Sequence, residues 1–119
     1  MSYGIGVQWA LEEAKFQEER GVSIEIVDLR TLIPWDRDTV FRSVRRTNRV
    51  LILHEAASTA GFGAELCASI AQEAFQFLDA PPVRVAAADT PIPFSIQLEK
   101  ELYSPLPRLR PAIEQLMRF

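Results

Sequence analysis

The run Val50–Leu53 is apolar without a break and lies between two stretches of helical periodicity. A strand with one face in water alternates apolar and polar residues. A continuous run is covered on both faces, as in a parallel sheet under helices. The flanks agree with that reading. Asp36 stands where an N-cap is wanted, and Val40, Phe41 and Val44 then repeat along a helix to about Arg46. Beyond a glycine-containing turn, Leu66, Cys67, Ile70, Ala71, Ala74, Phe75 and Leu78 recur at helical spacing. Two more segments, Ser23–Leu29 and Val83–Ala87, are rich in β-formers. A first helix places Val7, Ala10, Leu11 and Ala14 inward, leaves Glu12, Glu13, Glu18 and Glu19 on a solvated face, and stops near Gly21. A last one carries Ile113, Leu116 and Met117, its start delayed by Pro105, Pro107 and Pro111. Helix and strand in strict alternation predict an α/β domain with a mainly parallel sheet.

Composition narrows function by exclusion. At 119 residues the chain suits one domain with a single core. The formal charge of −3 gives a nucleic-acid role no electrostatic support. No apolar run approaches the ~20 residues of a membrane span. Cys67 is the single cysteine, so no internal disulfide forms, and its apolar helical setting reads as core. With one His and one Cys, no metal-ligand spacing exists.

Function in open α/β sheets gathers beyond the carboxyl ends of the strands. Three loops fall there: Asp28–Asp36, His54–Gly63 and Asp89–Phe94. In the first, Asp28 and Arg30 form a structural ion pair with a neighbouring loop. In the second, His54 and Glu55 are the residues suited to acid–base chemistry, and Gly61 and Gly63 precede a helix whose free N–H groups suit an anion. The competing reading makes His54 and Glu55 fasteners of the rim, with the glycines permitting a tight turn. The spacing matches neither a Walker loop nor a dinucleotide fingerprint. In the third, the Asp89 carboxylate caps its own turn and Pro91 fixes φ.

The same loops carry a resemblance. Val27–Asp36 followed by Thr39, the segment His54-Glu55-Ala56 with Gly61-Phe62-Gly63-Ala64-Glu65, and the turn Asp89–Pro93 resemble, in order and spacing, three motifs of the beta subunits of thiamine-diphosphate-dependent 2-oxo acid dehydrogenases. The similarity runs from about Tyr3 to Phe119, and Pro34-Trp35 leans toward the branched-chain (2-oxoisovalerate) members, with pyruvate and acetoin dehydrogenases as alternatives. The resemblance implies a transketolase C-terminal-like domain: a three-layer α/β/α sandwich on a mixed five-stranded sheet with one antiparallel edge. It also implies that thiamine diphosphate and Mg are held by other domains and none by this one. The parent enzyme decarboxylates a 2-oxo acid and transfers the acyl group to lipoamide.

Implied partners are the alpha subunit and a second beta subunit, in a tetramer of two alpha and two beta chains, and the peripheral subunit-binding domain of the acyltransferase. Asp28, Arg30, His54, Glu55, Gly61, Phe62, Gly63 and Asp89 become candidates for the rim and subunit interface, and Phe119 for docking. The implied location is bacterial cytoplasm or the mitochondrial matrix.

Two departures stand out. Ala60 replaces the first of a glycine pair, and the family places further residues of the domain ahead of Met1, supplying strand that this sequence lacks. The expectation is a non-catalytic assembly domain, a fragment of a longer subunit, that is marginally stable or self-associating along the gap. The alternatives are a phosphate-binding module at Gly61–Gly63 and a small enzyme using His54 and Glu55.

Overall fold

The computed structural model describes the backbone of residues 1–119 and every side chain except that of Leu102. In order, the elements are α1 (Ile5–Glu18), α2 (Arg37–Thr47), β1 (Leu51–Ala57), α3 (Phe62–Ala74), a 3₁₀ turn (Phe75–Phe77), β2 (Val83–Ala87), a short helix α4 (Ile96–Leu98) continuing as a π turn through Tyr103, and α5 (Leu106–Leu116).

The apolar run becomes the centre of the molecule because its residues serve two cores. Val50 and Ile52 point into a cluster with Val40, Phe41 and Val44 of α2 and Leu66, Ile70 and Ala74 of α3. Leu51 and Leu53 point the other way, among Leu109 and Ile113 of α5 and Trp9 and Ala10 of α1. Two helical layers therefore sandwich one sheet layer. Burying each large aliphatic in that sheet contributes roughly 1.5–3 kcal/mol.

β1 and β2 pair in parallel, with Leu51 opposite Val83 and Leu53 opposite Val85. On the other side of β1 the chain's first residues act as a fragment of strand. Met1 and Ser2 exchange backbone bonds with Val27, Leu29, Leu51 and Leu53, and Ser2 bridges in parallel to both Asp28 and Leu53. All these segments run the same way, so their carboxyl ends share one rim.

Several sequence expectations need correction. The segment Ser23–Leu29 is extended but forms a bridge only at Asp28. Its strand-forming side chains are present, yet a strand needs a neighbour, and Met1–Ser2 reach only its last residues. Among the described residues the sheet has two laddered strands rather than five, and no antiparallel edge. The inner face of α1 is Gly6, Ala10, Glu13 and Gln17, with Leu11 exposed. Glu13 thus turns inward instead of joining the solvated face, because Arg110 of α5 meets it there. α3 ends at Ala74 and leaves Phe75 exposed. α5 starts as early as Leu106: Pro107 sits in its first turn, where a missing N–H costs nothing.

Candidate functional site

The rim is held by polar groups that bind one another. Asp89 takes hydrogen bonds from the Thr59 N–H (2.7 Å) and the Thr59 hydroxyl (2.6 Å), tying the loop after β2 to the loop after β1. These bonds, the hydroxyl's first, hold the Asp89 carboxyl below its ordinary pKa. The expected cap of its own turn is therefore a clasp between loops thirty residues apart. Arg84 Nη1 adds a bond to the Ser58 carbonyl (2.7 Å). Tyr103 reaches back to donate its hydroxyl to the Glu55 carbonyl (3.0 Å), while the Glu55 side chain faces solvent. Arg30 Nε donates to Asp28 two residues away (2.5 Å), so that pair is local and joins no second loop.

His54 is fully buried at the end of β1. Its ring stacks on Tyr3, with centroids 5.8 Å apart and planes 8° from parallel, and Phe62 meets Tyr3 edge-on. Nδ1 lies 3.1 Å from the Ala56 carbonyl. A carbonyl only accepts, so Nδ1 carries the proton and Nε2 is left as a buried lone pair without a partner. Burial, the largest influence, pushes the imidazole pKa down and so favours the neutral ring. Such a ring cannot exchange protons with a solute on the surface.

The two glycines answer to this ring. A Cβ on Gly63 would stand 2.5 Å from His54 Cδ2, and one on Gly61 would stand 2.9 Å from Cε1 and overlap the Ala57 carbonyl. Close passage of α3 over the imidazole accounts for both residues without any ligand. Gly61 is the N-cap of α3 and makes no side-chain cap. Among the described residues no three His, Cys, Asp or Glu converge as a metal site. Cys67 is half-buried and its thiol is pushed up by burial, away from nucleophilic character.

Beside the exposed polar groups Arg30, Glu55 and Asp89, the rim also exposes large apolar side chains. Phe94 is fully exposed, Ile33 is 90% exposed, and Ile92 on the loop after β2 and Ile96 at the start of α4 stand out beside Phe94. Isolated exposed aliphatics are ordinary; here Ile92, Phe94 and Ile96 stand exposed within five residues of one another. Sequence reasoning placed Phe94 in this loop but missed the row Ile92, Phe94, Ile96, whose alternation with Pro93 and Ser95 was the available signal. It also missed Tyr103 and the Glu13–Arg110 pair. Phe119 follows α5 and is exposed.

The family model for the C-terminal domain of transketolase matches residues 1–106. The chain belongs to this family. A solved chain described as a split-gene transketolase, inactive beta4 tetramer, superimposes with a TM-score of 0.74 at 26% identity, over 97% of this chain and 37% of its own. The chain is 41% identical over 99 residues to the mitochondrial pyruvate dehydrogenase E1 component subunit beta-2 of Oryza sativa subsp. japonica, a stretch covering 83% of this chain and 26% of that one. It is 54% identical over 76 residues to the mitochondrial 2-oxoisovalerate dehydrogenase subunit beta 2 of Arabidopsis thaliana, covering 64% and 21%. It is 39% identical over 100 residues to the pyruvate dehydrogenase E1 component subunit beta of Rhizobium meliloti (strain 1021), covering 84% and 22%. This transketolase C-terminal domain therefore spans about a quarter of the length of those curated relatives.

Proposed function

We propose that this domain assembles a 2-oxo acid dehydrogenase beta subunit with its partner chains and supplies no catalytic side chain. The observation that carries the reading is the contrast at the rim. The polar candidates Asp28, Asp89 and His54 are engaged in internal contacts, while Ile92, Phe94, Ile96 and Ile33 are left outward. Aromatic and aliphatic side chains on an otherwise polar rim are the groups that anchor protein interfaces. The partners proposed are the alpha subunit and a second beta subunit, with Phe119 as a docking residue for the acyltransferase's peripheral subunit-binding domain.

In such an enzyme thiamine diphosphate with Mg supplies the carbanion chemistry of 2-oxo acid decarboxylation. The residues here do not fit that group: among the described residues no acidic cluster converges for Mg, and the one imidazole is sealed beneath α3. No chemical step is assigned to this domain. For the parent substrate, the 2-oxoisovalerate reading rests on the 54% identity and the Pro34-Trp35 pair. The pyruvate reading rests on the longer matched stretches, 83% and 84% of this chain against 64%. We favour a 2-oxo acid dehydrogenase of either kind, in a bacterial cytoplasm or a mitochondrial matrix.

The test is direct. The purified chain, given thiamine diphosphate, Mg²⁺ and either pyruvate or 2-oxoisovalerate, is expected to release no carbon dioxide above the protein-free rate. Turnover abolished by His54→Ala would overturn the reading and restore the small-enzyme alternative.

A further inference from the structure

His54 can gain a proton at one atom only, and the closed rim has no place for it there. Nδ1 already carries a hydrogen toward the Ala56 carbonyl, 3.1 Å away, so a second proton goes to Nε2. Nε2 is buried without a partner. It faces the first turn of α3, where a Cβ on Gly63 would overlap it and the Ile52 Cγ2 methyl borders the same space. Tyr3 stacks on the ring. A new N–H at this spot is a buried donor with no acceptor, and it brings a buried charge with no counterion.

The charged and titratable groups around the ring supply none. Arg84 of β2 disfavours a positive imidazole. Burial pushes up both the Tyr3 hydroxyl and the Cys67 thiol of α3, so each is neutral in acid. Glu55 of β1 and Glu65 of α3 lie at the exposed surface. Asp89 is engaged by Thr59. The closed rim and the protonated ring therefore exclude one another. Because the ring is sealed, proton uptake and opening are one event.

We propose that His54 is an acid-released latch: a proton taken up at Nε2 lifts the first turn of α3 from the end of β1 and lets water reach the ring. The turn ahead of α3 also holds Thr59, whose two bonds to Asp89 tie it to the loop carrying Ile92 and Phe94. Release at His54 thus reaches both loops of the rim. The latch belongs to this chain alone and stands whether or not the rim is a subunit interface.

Its direction follows from linkage. In the closed state burial lowers the imidazole pKa from its ordinary 6.5. A base lowered in this way adds its full stability above the unfolded value and loses it as pH falls toward the folded one. The open form therefore gains on the closed form below about pH 6.5. The Met1 amine, lowered from 8.0 to about 6, overlaps the top of that range, so it is removed by Nα-acetylation.

The experiment measures amide exchange in the Nα-acetylated chain, corrected for the intrinsic effect of pH, from about pH 7 to about pH 5. Exchange reads an opening even when the open form is rare. The amide of Ala64, bonded to the Gly61 carbonyl at 2.9 Å, reports the first turn of α3, and Val44, inside α2, reports the whole fold. The opening constant at Ala64 is expected to rise on the order of twentyfold over that range, while Val44 stays level. His54→Gln, which cannot titrate, should hold Ala64 level too. A flat response at Ala64 would overturn the proposal, as would the same rise in His54→Gln. So would Val44 rising in step with Ala64, since acid would then unfold the whole domain. Should His54→Gln fail to fold, the comparison of Ala64 with Val44 in the original chain still decides.

Discussion

His54 and Gly63 share one volume: the imidazole occupies the place into which any side chain at residue 63 would project, with Cδ2 2.5 Å from an added Cβ. Gly63→Ala should therefore push α3 off the end of β1. Overpacking of this kind costs about 1–3 kcal/mol, against a gain of less than ~1 kcal/mol from replacing a helical glycine, so a net loss of about 1–2 kcal/mol is expected in urea unfolding. In a His54→Ala background the same change should become neutral or stabilising. An equal cost in both backgrounds would show that the ring is not what Gly63 accommodates.

Ala60 takes φ +59° in the exposed turn ahead of Gly61. A left-handed conformation strains an L-residue by about 1–2 kcal/mol, while glycine adds roughly 0.4–1 kcal/mol of unfolded-state entropy. Ala60→Gly is accordingly expected to stabilise by up to about 1 kcal/mol. Loss of stability on making this substitution would mean that the turn is not held in the left-handed region.

Glu13 and Arg110 join α1 to α5 through two bonds, 3.0 and 2.9 Å, with the guanidinium also stacked 3.6 Å over the Phe16 ring. The Arg110 hydrogen bond holds the Glu13 carboxyl below its ordinary pKa of 4.5. A depressed carboxylate pKa means a contribution that is complete above the unfolded value and lost as pH falls through the folded one. Stability should decline on acidification below about pH 5, and Glu13→Gln should flatten that decline while costing about 1 kcal/mol at neutral pH. An unchanged acid limb in the variant would remove Glu13 from the account.

The Met1 amine donates to the Leu51 carbonyl (2.8 Å), and burial lowers its pKa from 8.0 to about 6. For a base with a depressed folded pKa, the protonated form is the one the fold disfavours. Stability of the 119-residue chain is thus highest above pH 8 and falls as pH drops toward 6, by about 2–3 kcal/mol for this group. Nα-acetylation should abolish that slope. A slope that persists after acetylation would assign it to another group.

The parts of the fold legible in the sequence are those that local physics determines. The Asp36 carboxylate caps α2 through the Thr39 N–H (2.9 Å), as its position implied, and Val50–Leu53 marks the doubly covered strand. Local pattern could not show that Ser23–Ile26 lacks pairing, since a ladder depends on what lies beside it. Nor could it turn Glu13 inward, because the reason is Arg110, 97 residues away. The bonds around the rim were not legible either: Asp89 answers to Thr59, and Gly63 to the ring of His54.

The most direct test of the assembly claim uses a full-length beta subunit carrying this domain together with its alpha subunit. Ile92→Glu and Phe94→Glu alter exposed side chains and should leave the domain's own Tm within about 2 °C. Sedimentation velocity is the measurement. The account requires these variants to sediment as smaller species than the unaltered assembly. Variants that assemble like the original, at equal concentration, would contradict it.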